Sequence, residues 1–590
     1  MEIGRLRAHQ VPIPGAGWRR RRAVALVLAG LAAVVVAMPS IRALESGGPP
    51  PVLAAMEAEL ERSFARLGQE EEPPYYLSYE IHEQHSLTAT VSFGQLVRRS
   101  EGRQRQADVD LRVGSPELDN THARRGDGRR FSRPNRFAWV EVPLDDDPAA
   151  IASVLWAETD RRYKRAVEDL TAISTNVEVQ VEASDTSPDF AGAPAAELIA
   201  ERGEVELDLD AWVGLLERVT APFAEHGKIY QAEANLVAFA GRRWFVNTEG
   251  SRLATGRVAY RLSLSTLTKA DDGMELPRYE SFFSYSPEGL PDEETLAAVV
   301  ADMIADLLAL RQAPVVDPYT GPALLSGRAA GVFFHEVFGH RIEGHRQKSE
   351  DEGQTFKKMV GESILPPNFD VVFDPTRRRA GSTDLAGFYR FDNEGVASRP
   401  VAVIDDGVFR RFLMSRSPIS GEPVSNGHGR RQPGFNVVAR QSNLLVEVTE
   451  PWSRDELKNE LIRRVEAEGK PFGLYFEDIA GGFTLTGRRI PNAFNVVPIL
   501  VFRVYPDGRE ELVRGVDLIG TPLTAFSAIV AGGGEPGVFN GTCGAESGGV
   551  PVAAVSPSLL IGQVEVQKKE KSQERPPILP APAGDAGEDG

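Results

Sequence analysis

The sequence predicts an α+β protein of two domains: an α/β N-terminal domain, then a β-rich C-terminal domain, with a histidine-bearing helix near their junction. Three observations carry this expectation. Helical spacing and strand-like alternation interleave between residues 52 and 310, whereas strand-like runs dominate from 370 to 555. The chain has 590 residues, 42% of them hydrophobic, which is more than one core usually supports.

Behind a Gly/Pro linker at 47–51, residues 52–67 have helical spacing. Tyr75, Leu77, Tyr79 and Ile81 fall on every second position and mark a half-buried strand. Runs at 86–97 and 107–113 extend it into an antiparallel meander. Helical patterns at 149–170 and 209–225 precede a second sheet region, 229–267, which turns at Asn247 to Gly250. A helix over 293–310 and the proline-broken segment 313–322 lead into the histidine motif, placing the domain boundary near 315. Downstream, 370–374, 401–405, 443–448, 473–478, 496–504 and 550–555 read as strands. One helix, 454–468, has Ser453 as its cap. Segment 425–431 reads as a loop with His428 at the surface. Its Arg430 and Arg431 are of a type that forks onto carboxylates, but nothing in their spacing assigns them that role. The tail 567–590 mixes Lys and Glu with Pro and Gly and is expected to be disordered. The expected divisions are 1–45, 46–315, 316–566 and 567–590.

Residues 1–45 carry an address. Arg19 to Arg22 precede a charge-free apolar run over 23–38, the layout of a secretory signal. For a cut after Ala43, the bulky Ile41 would occupy a position that prefers a small residue. A cleaved signal and a retained membrane anchor therefore both stand, and the arginine run also admits a twin-arginine route. Either way the expected location is exported, in the periplasm or anchored facing it. A net charge of −18 argues against general nucleic-acid binding, and the basic stretch at 124–133 reads as a solvated loop. With Cys543 the sole cysteine, no internal disulfide can form.

The chemistry concentrates in Gly331-Val-Phe-Phe-His-Glu-Val-Phe-Gly-His340. Ser326 is the expected N-cap of a helix through this segment. His335 and His340 stand five residues apart, so a regular helix would set them roughly 140° apart around its axis. Bringing both to one ion calls for a π-bulge, with Gly339 the residue most tolerant of the distortion. Two imidazoles and the lone thiolate of Cys543 suffice for a catalytic zinc, which takes three protein ligands and leaves a position for water. Glu336, beside the first histidine, would serve as base. Ordinary helix histidines flanking a salt-bridging glutamate, and a cysteine that merely fills a core, remain open alternatives. Gly541, Gly544, Gly548 and Gly549 favour a tight loop around Cys543.

Several blocks beyond this motif bear on the choice. His335-Glu-Val-Phe-Gly-His340 continues as Arg-Ile-Glu-Gly344, and then come Phe391-Asp-Asn-Glu-Gly395, Ser425-Asn-Gly-His-Gly-Arg-Arg431 and Arg440-Gln-Ser-Asn443. Thr542-Cys-Gly-Ala-Glu-Ser-Gly-Gly-Val-Pro-Val552 and Ser556-Pro-Ser558 close the series. In this order the blocks resemble the TldD/PmbA family of bacterial metallopeptidases, from about residue 50 to 566. The resemblance implies that His335, His340 and Cys543 hold a metal, expected to be Zn2+, and that Glu336 is the general base activating the hydrolytic water. It implies peptide or unfolded-protein substrates, admitted to a chamber between two related subunits in a homodimer or heterodimer. Where many members carry an aspartate, this chain has His345, which reads as a surface residue, a supporting partner or a competing ligand. The expected function is a zinc metallopeptidase acting on unfolded or extended peptides. The alternatives are a non-catalytic partner subunit and an envelope scaffold.

Overall fold

The computed structural model of the protein describes residues 50–122, 139–177, 185–200, 202–348, 352–487, 493–569 and 579. Helix α1 (Pro51–Leu67) is followed by two long antiparallel strands, β1 (Pro74–Ser92) and β2 (Gln95–Val113). They turn at Phe93 and Gly94, whose φ angles of 48° and 76° match the tight hairpin turn that suits strand twist. The run expected at 86–97 is thus two strands, because alternation continues across the two-residue turn. Helices α2 (Pro148–Val177) and α3 (Leu209–Thr220) lead to β3 (Ile229–Asn247), β4 (Arg252–Lys269) and β5 (Glu275–Ser284), then α4 (Glu293–Gln312).

The region at 229–267 is not a second sheet. β3 pairs with β1 from Ser78↔Asn247 to Ser92↔Glu233, and the order β2–β1–β3–β4–β5 belongs to one sheet, seven-stranded among the described residues. Short strands Val140–Glu141 and Glu197–Ile199 complete it. Leu77, Tyr79 and Ile81 pack with α1 and α2, while Ala89 and Val91 share a cluster with α3 and α4. The opposite face of β1 is buried too. There Glu80 pairs with Arg243 and Arg431, so β1 is not half-buried as its alternation suggests. Paired charges cover that face in place of solvent.

The second sheet has eleven strands among the described residues. Its principal members are β6 (Tyr319–Leu325), β7 (Phe369–Phe373), β8 (Val401–Asp405), β9 (Asn443–Val448), β10 (Gly473–Thr484), β11 (Phe494–Val504), β12 (Val516–Gly520), β13 (Ile529–Ala545) and β14 (Gly548–Lys568). β14 pairs with β12, β12 with β11, β11 with β10, β10 with β6, and β6 again with β14, so the pairing closes on itself. Helix α5 (Gly327–Val337) packs against β10, β13 and β14. Every residue of α5 except Arg328 is buried, so the helix needs such a wrapping. Helix α6 (Arg454–Ala467) carries the expected Ser453 cap, with Glu456 completing a capping box.

From Pro51 onward the described residues form one compact unit. β14 runs to Lys568, two residues past the expected end of the C-terminal domain at 566. The expected leader at 1–45, the basic stretch from 124 and the tail beyond 569, residue 579 apart, lie outside the described residues. Among the described residues no helix is long and apolar enough to cross a membrane.

Candidate metal centre

Strand β6 enters α5 through Ser326, whose Oγ accepts from the Ala329 amide at 3.2 Å, as the cap reading expects. Every residue from Ala329 to Gln347 is buried. The helix ends at Val337, and Gly339–Ile342 tighten into a 3-10 turn in which the Arg341 amide donates to the Phe338 carbonyl at 2.9 Å. No π-bulge forms; a change of helix type re-aims His340 instead. Gly339 also has a different role from the expected one. Its φ lies outside the left-handed region, and a Cβ there would overlap the carboxamide of Gln441. Close approach, not backbone freedom, calls for glycine at this position.

The fold brings the three expected ligands together. Nε2 of His335 lies 3.2 Å from Sγ of Cys543, and Nε2 of His340 lies 3.3 Å from it. The two rings are 5.0 Å apart at 83°, and the three donor atoms all fall within 4.8 Å of one another. Zinc with ordinary Zn–N and Zn–S bonds sets N and S about 3.5 Å apart in a tetrahedral site, so this donor set fits zinc. Cys543 is not in a loop: it lies on β13 opposite Val550, near the hairpin that joins β14. Burial alone would raise its thiol pKa, yet His340, His335 and Arg440 hold it well below the usual thiol range. That favours the thiolate a metal requires.

Around the ligands lies a polar shell that the motif alone does not reveal, although Glu343, Arg440 and Glu546 stand in the ordered sequence blocks, whereas Arg346 does not. Oε2 of Glu343 sits 3.2 Å from Nδ1 of His340 and accepts from Arg346 at 2.9 and 3.0 Å. Burial opposes the charge on Glu343, but His340, Arg346 and Arg440 bring its pKa to about 2. A carboxylate there fixes the imidazole so that its other nitrogen faces Cys543 Sγ. Glu336 is 6% exposed, and its Oε2 has no hydrogen-bond partner among the described residues. It is not the salt-bridging glutamate of the alternative reading.

His345 is not a surface residue, and it groups with Glu343 and Glu546 and not with His335, His340 and Cys543. It is buried, with Nε2 against Glu546, whose other oxygen binds Arg346 at 2.9 Å. Glu343, His345 and Glu546 are close enough to hold a cation, but Arg346 already occupies the charge they offer. Glu80, His82 and Asp108 form another acidic group, which Arg243 and Arg431 neutralise. His428 is fully buried, contrary to the surface expectation, with Nε2 3.0 Å from Ser442 Oγ. Arg430 and Arg431 are consumed internally, the first on the carbonyls of Gln441 and Pro551 and the second on Glu80.

Residues 318–568 match the family described as the PmbA/TldA metallopeptidase C-terminal domain. A metalloprotease of Archaeoglobus fulgidus is 28% identical over 238 residues, covering 40% of this chain and 51% of that protein. A zinc metalloprotease TldD homolog of Saccharolobus solfataricus is 22% identical, covering 42% of this chain and 51% of that protein. The match thus spans about half the length of these curated relatives. The crystal structure of TldE from Thermococcus kodakarensis superposes with a TM-score of 0.57 at 13% identity, covering 87% of this chain and 100% of that one. Residues 318–568 carry the PmbA/TldA metallopeptidase C-terminal domain, and with the shared fold and the ordered sequence blocks they support a TldD/PmbA-family protein.

Proposed function

We propose that the protein is a zinc-dependent metallopeptidase hydrolysing unfolded or extended peptides, working as a homodimer or beside a related subunit. One observation carries this reading. His335, His340 and Cys543 converge within 4.8 Å, while the neighbouring Glu336 keeps a buried carboxylate oxygen without a hydrogen-bond partner. Unpartnered buried carboxylate oxygens are costly, and they mark groups kept available for chemistry.

Zinc bound by these three residues would supply Lewis acidity toward a scissile carbonyl. The rest falls to side chains of this chain. Glu336 accepts the proton of the attacking water on its open oxygen and returns it to the leaving amine. Glu343 keeps His340 in one orientation through Nδ1. Gly482, exposed on β10, leaves the approach to Glu336 clear: a Cβ there would stand 2.8 Å from Glu336 Cγ. Retention of all four residues disfavours a non-catalytic partner or scaffold role.

Purified protein is expected to hold zinc and to lose it in His335→Ala and in Cys543→Ala, as read by elemental analysis. Retention of zinc by both variants would remove the assigned centre. Export to the envelope is part of the same proposal and rests on Arg19 to Arg22 and the apolar run that follows. Residues 1–45 fused to a reporter active only outside the cytoplasm should give signal. A silent reporter that accumulates in the cytoplasm would contradict export.

A further inference from the structure

Arg440 is among the largest fully buried side chains of the protein, and it touches the centre without being a candidate ligand. All five of its N–H donors are accounted for. Nη2 donates to Cys543 Sγ at 3.1 Å and to the Cys543 carbonyl at 2.7 Å. Nη1 donates to Ser547 Oγ at 2.7 Å and to the Gly548 carbonyl at 3.0 Å, spanning the hairpin from β13 to β14. Nε donates to Glu343 Oε1 at 3.2 Å, and the other oxygen of Glu343 faces His340 Nδ1. One guanidinium therefore links the sulfur ligand to the carboxylate that orients a nitrogen ligand. The two ligands lie 203 residues apart in sequence, yet a single rigid fork ties them together.

We propose that Arg440, braced by Glu343, is a positioning residue of the metal centre: it presets the Cys543 thiolate and the His340 ring in ligating geometry and draws electron density from the sulfur. The inference rests on the zinc-site reading given above. Presetting matters because ordering a flexible cysteine and histidine at the moment of binding costs affinity. Charge withdrawal follows because a cation that hydrogen-bonds a thiolate lowers the energy of its lone pairs. Lysine cannot reproduce the arrangement, since three donors on one point charge do not span Sγ, two carbonyls, a hydroxyl and a carboxylate.

The test compares the full-length parent with Arg440→Met and Arg440→Lys. Zinc affinity is read by competition with a chromophoric chelator, and the sulfur-to-metal charge-transfer band is read after cobalt substitution. Both variants are expected to bind zinc roughly 10- to 100-fold more weakly, the scale seen when groups supporting metal ligands are removed. In Arg440→Met the band should move to longer wavelength, because the sulfur loses its cationic partner. Arg416→Gln is the control: that guanidinium is equally buried but binds Ala191 and Glu249, and its loss should lower stability while leaving zinc affinity unchanged. A folded Arg440 variant with parental affinity and an unshifted band would overturn the proposal. So would failure of Arg440→Lys to fold, which would make the residue a requirement of the fold and not of the centre. A parent protein that binds no zinc would instead sink the peptidase reading beneath it.

Discussion

At the scale of single residues, His428 shows most plainly how burial overrides type. The ring is fully enclosed, with Asn426 beside Nδ1 and Ser442 beside Nε2. Burial is the main cause that pushes its pKa down to about 3, and Arg430 and Arg399 add to it. In the unfolded chain a histidine titrates near 6.5, about the usual value. Between those two values the unfolded chain binds a proton that the folded one refuses, so stability is full above about 6.5 and declines as pH falls toward 3. In His428→Gln, which holds a neutral hydrogen-bonding group in the same place, that part of the acid loss should vanish. The expected cost at neutral pH is about 1 kcal/mol for the altered hydrogen bonding. Urea unfolding at several pH values checks this: parallel curves for parent and variant would refute the assignment. Nothing in the Ser425 to Arg431 stretch distinguishes this histidine from a solvated one, because what buries it comes from Phe373, Tyr389 and Ser442.

At the scale of elements, the corner between α5 and the 3-10 turn decides whether two histidines five residues apart can share an ion. Gly339→Ala would force a methyl into the Gln441 carboxamide. It should cost about 1–3 kcal/mol, the range for overpacking a tight core, and weaken zinc binding as His340 shifts. Thermal unfolding with and without added zinc measures both effects, and an unchanged melting temperature in each case would show the corner to be slack. The caps at Ser326 and Ser453 are legible from sequence because a cap is a local event between a side chain and an amide a few residues on. The 3-10 corner is not, since spacing arguments presume one helix type throughout. The strand under Cys543 is hidden for a related reason. Its glycines look like a loop, yet Gly544 and Gly549 face each other across an antiparallel ladder.

At the scale of the molecule, the four expected site residues can be read from the chain, whereas the surroundings that set their properties cannot. His335, Glu336, His340 and Cys543 stand in recognisable blocks, and three of them supply the donors that converge. The network that holds them draws on Glu343, Arg346, Arg440 and Glu546, charged residues that sequence reasoning places at the surface by default. The same is true of Glu80, Asp108, Arg243 and Arg431, which bury their charges on the face of β1 that alternation leaves to solvent. Composition cannot distinguish a solvated charge from a paired one; only the closing of the strands around α5 and the apposed sheet face does so. The account stands on Glu336 being the proton acceptor beside an intact zinc site. The decisive measurement is zinc content together with hydrolysis of an unfolded protein, for the parent and for Glu336→Gln. About one zinc per chain is expected in both proteins, with hydrolysis in the parent alone. Equal hydrolysis by Glu336→Gln would contradict the account.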